Sequence, residues 1–143
     1  MPTKSILMPM VLALAAAVHA DEGFIVSGDV LVGETGTLFV SMVDENQFEG
    51  SFAGTAGIVL EIGPADVTRG HVDYAFTGVA PGVYGIRAYI DTNGNGRLDQ
   101  GVFGPREPWG MSWQGRKPIG PPSFRHIAFQ VNRDIEGLQI DCR

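Results

Sequence analysis

Nine consecutive residues carry the clearest chemical signal in the chain: Asp91, Thr92, Asn93, Gly94, Asn95, Gly96, Arg97, Leu98 and Asp99. Oxygen-bearing side chains stand at alternate positions 91, 93, 95 and 99, with Arg97 between the last two, and Gly96 stands where the backbone must turn sharply. That is the layout of a loop folding around calcium, a hard cation that takes roughly six to eight oxygen ligands. Asp91, Asn93 and Asn95 offer side-chain oxygens, the Arg97 carbonyl follows, and Asp99 completes the set directly or through water. Leu98 is expected to point into the core and anchor the loop. The twelfth loop position is Val102, which cannot bind metal, so the bidentate acid of a helix–loop–helix calcium site is missing. Glu107 on the next segment is the expected substitute. So few carboxylates place the affinity in the weak extracellular range, with Kd about 10⁻⁴–10⁻³ M, and magnesium suits such a loop poorly because it demands strict octahedral geometry. The plain alternative is a metal-free hairpin, since Asn-Gly pairs are strong turn formers by themselves.

Other chemistry-bearing residues are sparser. Trp109 and Trp113 flank Met111 on a stretch rich in glycine and proline. Such a pair can stack on a sugar ring or a partner peptide, or it can close a small core over the edge of the fold, as large aromatics usually do. His71 and His126 lack the spacing of a zinc site. His126 is out of phase with its apolar neighbours, which puts it on an outer face or near the long loop. His126 beside Arg87 or Arg125, or His71 near arginines, would be the acid–base group of a small hydrolase. No nucleophile motif surrounds Ser112 or Ser123, and no glycine loop has the pattern of a phosphate cradle. No catalytic residue is assigned. Cys142 is the single cysteine. It is in phase with Leu138 and Ile140, so a buried thiol is expected, with an intermolecular disulfide as the alternative.

The elements that must position these residues read as strands. Phe24 to Val32 is the first and Thr37 to Asp44 the second, with Leu38, Val40 and Met42 on one face. Ile58 to Ile62 and His71 to Thr77 alternate in the same way. Ala80-Pro81-Gly82 turns the chain into a fifth strand ending at Ile90, with Tyr84, Ile86, Ala88 and Ile90 on one face and Arg87 and Tyr89 on the other. Gly101 to Ser123 is irregular. Phe124 to Asn132 and Ile135 to Cys142 are the last two strands. No run of about a dozen residues has helical period. The expected fold is all-β: an antiparallel sandwich of about seven strands, immunoglobulin-like, with a long loop between the fifth and sixth strands. A loop of that length inside a compact domain is usually functional or disordered, and two tryptophans with no charge-rich block argue against disorder here.

Residues 1–20 read as a signal peptide. Lys4 gives a positive start, Ile6 to Val18 is apolar, and Val18-His19-Ala20 fits the cut site. The run is too short for a stable membrane span, and with no cysteine beside the cut no lipid anchor is expected there. Residues 21–143 then form a single exported domain, periplasmic or secreted. With Lys4 removed, nine basic residues face 16 acidic ones, a net charge of about −7. That balance argues against nucleic acid and against an anionic membrane surface.

The run Gly82-Val-Tyr84-Gly-Ile-Arg-Ala-Tyr-Ile-Asp91, continuing to Asp99, is followed by Gly104-Pro105-Arg-Glu107-Pro108, Gly110-Met111-Ser112 and Gly120-Pro-Pro122-Ser123-Phe124. Together with the leader, these resemble the bacterial exported proteins of domain-of-unknown-function family 2141. Met111 stands where that family has an aromatic residue. The resemblance implies an exported sandwich of transthyretin-like or related type and no particular chemistry. The functional expectation is a non-enzymatic module of the periplasm or cell envelope, with a calcium-stabilised loop presenting Trp109 and Trp113 to a protein or glycan partner. The rival expectation is a small transthyretin-like hydrolase using histidine and arginine.

Overall fold

A computed structural model describes residues 23–49 and 57–143. The expected signal peptide lies outside the described residues. Ten strands, named in chain order, are β1 Phe24–Val32, β2 Gly36–Val43, β3 Gly57–Ile62, β4 His71–Val79, β5 Gly82–Asp91, β6 Gln100–Gly101, β7 Gly104–Pro105, β8 Trp109–Met111, β9 Phe129–Val131 and β10 Ile140–Cys142. One sheet has the order β10-β1-β4, the other β3-β2-β5-β8, and β9 also pairs with β5. The fold is an all-β sandwich, as the alternation requires. Its core is aliphatic: Val26 and Val30 of β1, Leu38 and Val40 of β2, and Ile86, Ala88 and Ile90 of β5 are fully buried between the sheets.

Several expectations are corrected. The pairing is not wholly antiparallel, because β10 runs parallel to β1. The sixth strand shrinks to β9, and Phe124–His126 is one turn of 3-10 helix. The seventh shrinks to β10 plus a bridge between Val26 and Ile135. Two short helices, α1 Glu45–Phe48 and α2 Pro64–Arg69, stand where only loops were read. They are too short to show a period, yet their caps are legible. Asp44 accepts from the Gln47 amide at 2.8 Å while the Gln47 side chain accepts from the Asp44 amide at 2.9 Å. α2 begins with proline and ends at Gly70 in the left-handed region, φ 91°.

The irregular stretch is also more ordered than expected. β6 and β7 form a small hairpin, and β8 joins the larger sheet with Trp109 opposite Tyr89 and Met111 opposite Arg87. β8 and β9 share one edge of β5, β8 covering residues 87–89 and β9 residues 82–84. Ser112 closes the gap between them. Its hydroxyl accepts from the Ile86 amide and donates to the Ile127 carbonyl, both at 2.8 Å. Two backbone groups that would otherwise be buried and unmet are thereby satisfied. Gly110 lets β8 approach β10, since a β-carbon there would sit 2.3 Å from the Asp141 carbonyl oxygen.

The outer face of β5 is covered too. Tyr89 stacks on Phe39 with ring centroids 5.0 Å apart. Arg87 is buried, lies over the Phe48 ring, and donates to the carbonyls of Phe48 at 2.8 Å and Gln47 at 3.3 Å. Burial lowers its pKa from the ordinary arginine value.

Candidate metal loop and the adjoining tryptophan cleft

β5 delivers Asp91 to the start of the loop with only 4% of its surface exposed. One carboxylate oxygen accepts from the Gly94 amide at 2.9 Å and the other from the Gly96 amide at 2.7 Å. Both glycines have φ near +77°, the left-handed conformation that folds these amides back on the acid. Asn93 and Asn95 each accept from the amide two residues on, at 3.1 Å. These are the local turns that asparagine favours. Their side-chain nitrogens both donate to Asp99, the Asn95 bond measuring 2.7 Å. The amides of Asn95 and Asn93 hold the Asp99 carboxyl below its usual range. The Arg97 side chain is exposed, its guanidinium 3.8 Å from Asp99.

Glu107 is buried, 5% exposed, and ties the two ends of the loop together. One oxygen accepts from the Thr92 amide at 3.0 Å and, more weakly, from the Thr92 hydroxyl. The other accepts from the Asp99 amide at 3.3 Å. The Asp99 carbonyl in turn accepts from the Arg106 amide at 2.8 Å. Tyr89 donates to the Gly96 carbonyl at 3.2 Å. Among the described residues no basic side chain lies within ion-pair distance of Asp91 or Glu107. Two buried carboxylates flank one loop with backbone and hydroxyl donors and, among the described residues, no counter-charge. Acidic side chains alone do not make a metal cage: among the described residues, no three of the Asp, Glu, His or Cys type converge as an ion requires. A cation here would have to draw on amide and carbonyl oxygens as well.

The segment beyond Glu107 builds a cleft. The Pro108 carbonyl accepts from the Ile90 amide at 2.9 Å, which fixes Trp109 beside the sheet. Trp109 and Trp113 meet edge to face with centroids 6.2 Å apart. The Lys117 ammonium lies 4.6 Å from the centroid of Trp109 and 5.9 Å from that of Trp113. The cleft encloses about 570 Å³, with Leu98, Met111 and Pro121 also in its walls. Leu98 was expected in the core; it is half-buried and faces the tryptophans instead. The loop lies beyond the end of β5, past the reach of the sandwich interior.

The histidines lie apart from this loop. His71 opens β4 opposite Leu31. The ring of His126 accepts from the Ser123 amide at 2.9 Å and lies 3.1 Å from the Ser123 hydroxyl. That contact is local, closing the turn that starts the 3-10 helix, and the i, i+3 spacing was its signal. Arg87 is turned to the carbonyls of α1. Cys142 is a buried free thiol, and burial with the nearby Asp141 charge pushes its pKa up to about 12. Ser112, whose role no motif disclosed, proves the best-connected hydroxyl in the region.

Comparison with curated proteins and with solved structures returns no match. A family model matches residues 29–137, from β1 through the loop, the cleft and β9. The chain therefore belongs to the family described as "Uncharacterized protein conserved in bacteria (DUF2141)".

Proposed function

We propose that this protein is an exported, non-enzymatic binding module of the cell envelope whose tryptophan cleft is braced by calcium. One observation carries this reading. Glu107 is a buried carboxylate without an ionic partner among the described residues, bonded to both ends of the oxygen-rich loop and two residues from Trp109. Order in the loop is therefore transmitted to the cleft through one side chain. The donor set suits calcium. Both carboxylate oxygens of Asp91 and one of Glu107 retain a lone pair after their present hydrogen bonds, and a half-turn of the Asn93 and Asn95 amides exchanges nitrogen for oxygen toward Asp99. The ion would supply the positive charge that two buried acids lack. Asp91, Asn93, Asn95, Asp99 and Glu107, with the Arg97 carbonyl, would hold it.

Thermal unfolding of the protein lacking residues 1–20, in chelator and in millimolar calcium, tests the reading. Millimolar calcium is about one- to tenfold over the expected Kd and adds about 0.4–1.4 kcal/mol, which raises Tm by roughly 1–7 °C. Asp99→Asn should remove most of that increment while changing Tm in chelator little. Asp91→Ala is a poorer probe, because it also deletes two backbone hydrogen bonds. Equal Tm values in the two buffers for the unaltered protein would refute calcium bracing.

A further inference from the structure

We propose that the cleft between Trp109, Trp113 and Lys117 binds a monomeric anionic amphiphile, an apolar chain ending in an acidic head. The proposal rests on the reading of this segment as a binding surface and names its ligand chemistry.

Charge is the first argument. From residue 23 to 91 nine acids face two basic residues, Arg69 and Arg87. From residue 92 to 133 six basic residues face two acids, Asp99 and Glu107. The acidic balance of the whole chain thus conceals a basic stretch. Lys117 is the one charged residue in the cleft wall, and no carboxylate lies within ion-pair distance of it among the described residues. Its ammonium rests against the indole rings. An acidic head would give that charge its partner.

The walls are the second argument. Apart from Lys117, the side chains facing the cleft are aromatic, aliphatic or proline, with Gln100 the single neutral amide. A sugar would need a dense set of hydrogen-bonding groups, and the cleft does not offer one. An alkyl chain needs only apolar surface. The volume of about 570 Å³ falls within the roughly 300–1,000 Å³ typical of small-ligand sites.

The rim is the third argument. Val102, Phe103 and Ile119 are 91%, 103% and 105% exposed, whereas the other exposed large apolar side chains of the described residues reach at most 58%. Phe103 faces the cleft, and Ile119 lies between its wall residues Pro118 and Gly120. Full exposure of Phe103 and Ile119 beside one opening is costly in water unless something covers them. A chain emerging from the cleft would cover Phe103 and Ile119.

The test is a titration of the protein lacking residues 1–20 with sodium dodecanoate below its micelle threshold, read by tryptophan emission. Dodecyl maltoside supplies the same chain on an uncharged head. Saturable binding of dodecanoate, at least tenfold tighter than the maltoside and weakened about tenfold by Lys117→Gln, supports the proposal. The double variant Phe103→Ser, Ile119→Ser should also weaken it severalfold. No saturable change with dodecanoate overturns the proposal, as does equal affinity for the two heads. A second arm uses vesicles of phosphatidylglycerol and of phosphatidylcholine. Binding confined to anionic vesicles, with monomers ignored, overturns the monomer site and identifies a bilayer surface as the target. Running each titration in calcium and in chelator, with dodecanoate held at micromolar levels below the solubility of its calcium salt, separates the two readings. Dodecanoate binding that ignores calcium sinks the bracing and keeps the ligand. A calcium-raised Tm without dodecanoate binding does the reverse.

Discussion

The sandwich body and the end formed by residues 92–123 are two different solutions to folding in one chain. The body pairs long strands whose side chains alternate between an aliphatic interior and an acidic exterior. Its stability follows from area removed from water, and its precise polar groups matter little. The loop end has strands of two or three residues, glycines and prolines, with few apolar side chains fully buried. It is held by single polar groups that each satisfy two backbone atoms: Asp91, Glu107 and Ser112. The comparison teaches that a domain can carry a long connection without a core of its own, provided a few buried acceptors organise it. The same economy leaves apolar surface facing outward, which is where a ligand gains most.

The sharpest way to break this contrast is to delete apolar volume in the body. Leu38→Ala, at a site with no exposure, should cost about 2–5 kcal/mol in urea unfolding. Polar deletions at the loop end come next. Ser112→Ala leaves the Ile86 amide and the Ile127 carbonyl without their partner, an expected loss of about 1–3 kcal/mol. Glu107→Gln turns one acceptor into a donor facing the Thr92 or Asp99 amide. Its cost should be of similar size, about 1–3 kcal/mol, with faster exchange of both amides as the local readout.

Cys142 sharpens the comparison through pH. Its thiol is protonated in the folded state up to about 12, well above its value in an unfolded chain. Its contribution to stability is therefore complete below the unfolded thiol pKa, about 8.5, and declines as pH rises from there toward the folded value. Unfolding by urea across that window should show the decline, and Cys142→Ser should flatten it. A thiol reagent should label Cys142 only after denaturation. The smallest effect is expected at Phe103→Ala, within about 0.5 kcal/mol, because the ring is fully exposed. A loss there comparable with that of Leu38→Ala would erase the distinction between the two regions.

The alternation of Leu38 with Val40 and of Ile86 with Ala88 and Ile90 was enough to place those residues inside a β-sandwich. A period of two fixes which side chains share a face, whatever the partner strand. The oxygen-rich spacing from Asp91 to Asp99 and the acid at Glu107 were equally visible, because local turns are encoded by nearby residues. The short helices were missed because one turn shows no period, although Asp44, Gln47, Pro64 and Gly70 marked their ends. Ser112 was not legible at all, since its partners lie 26 residues before it and 15 after.

Local pattern, then, determined the strands, the loop and the acids that serve it, since each is written within a few residues of chain. Tertiary structure alone decided that β10 runs parallel to β1, that Leu98 faces tryptophans, and that Lys117 stands over them. The β1–β10 pairing joins segments distant in sequence and is set by the packing of whole sheets, whereas Leu98, the tryptophans and Lys117 share one irregular stretch on which no period fixes which side chains meet.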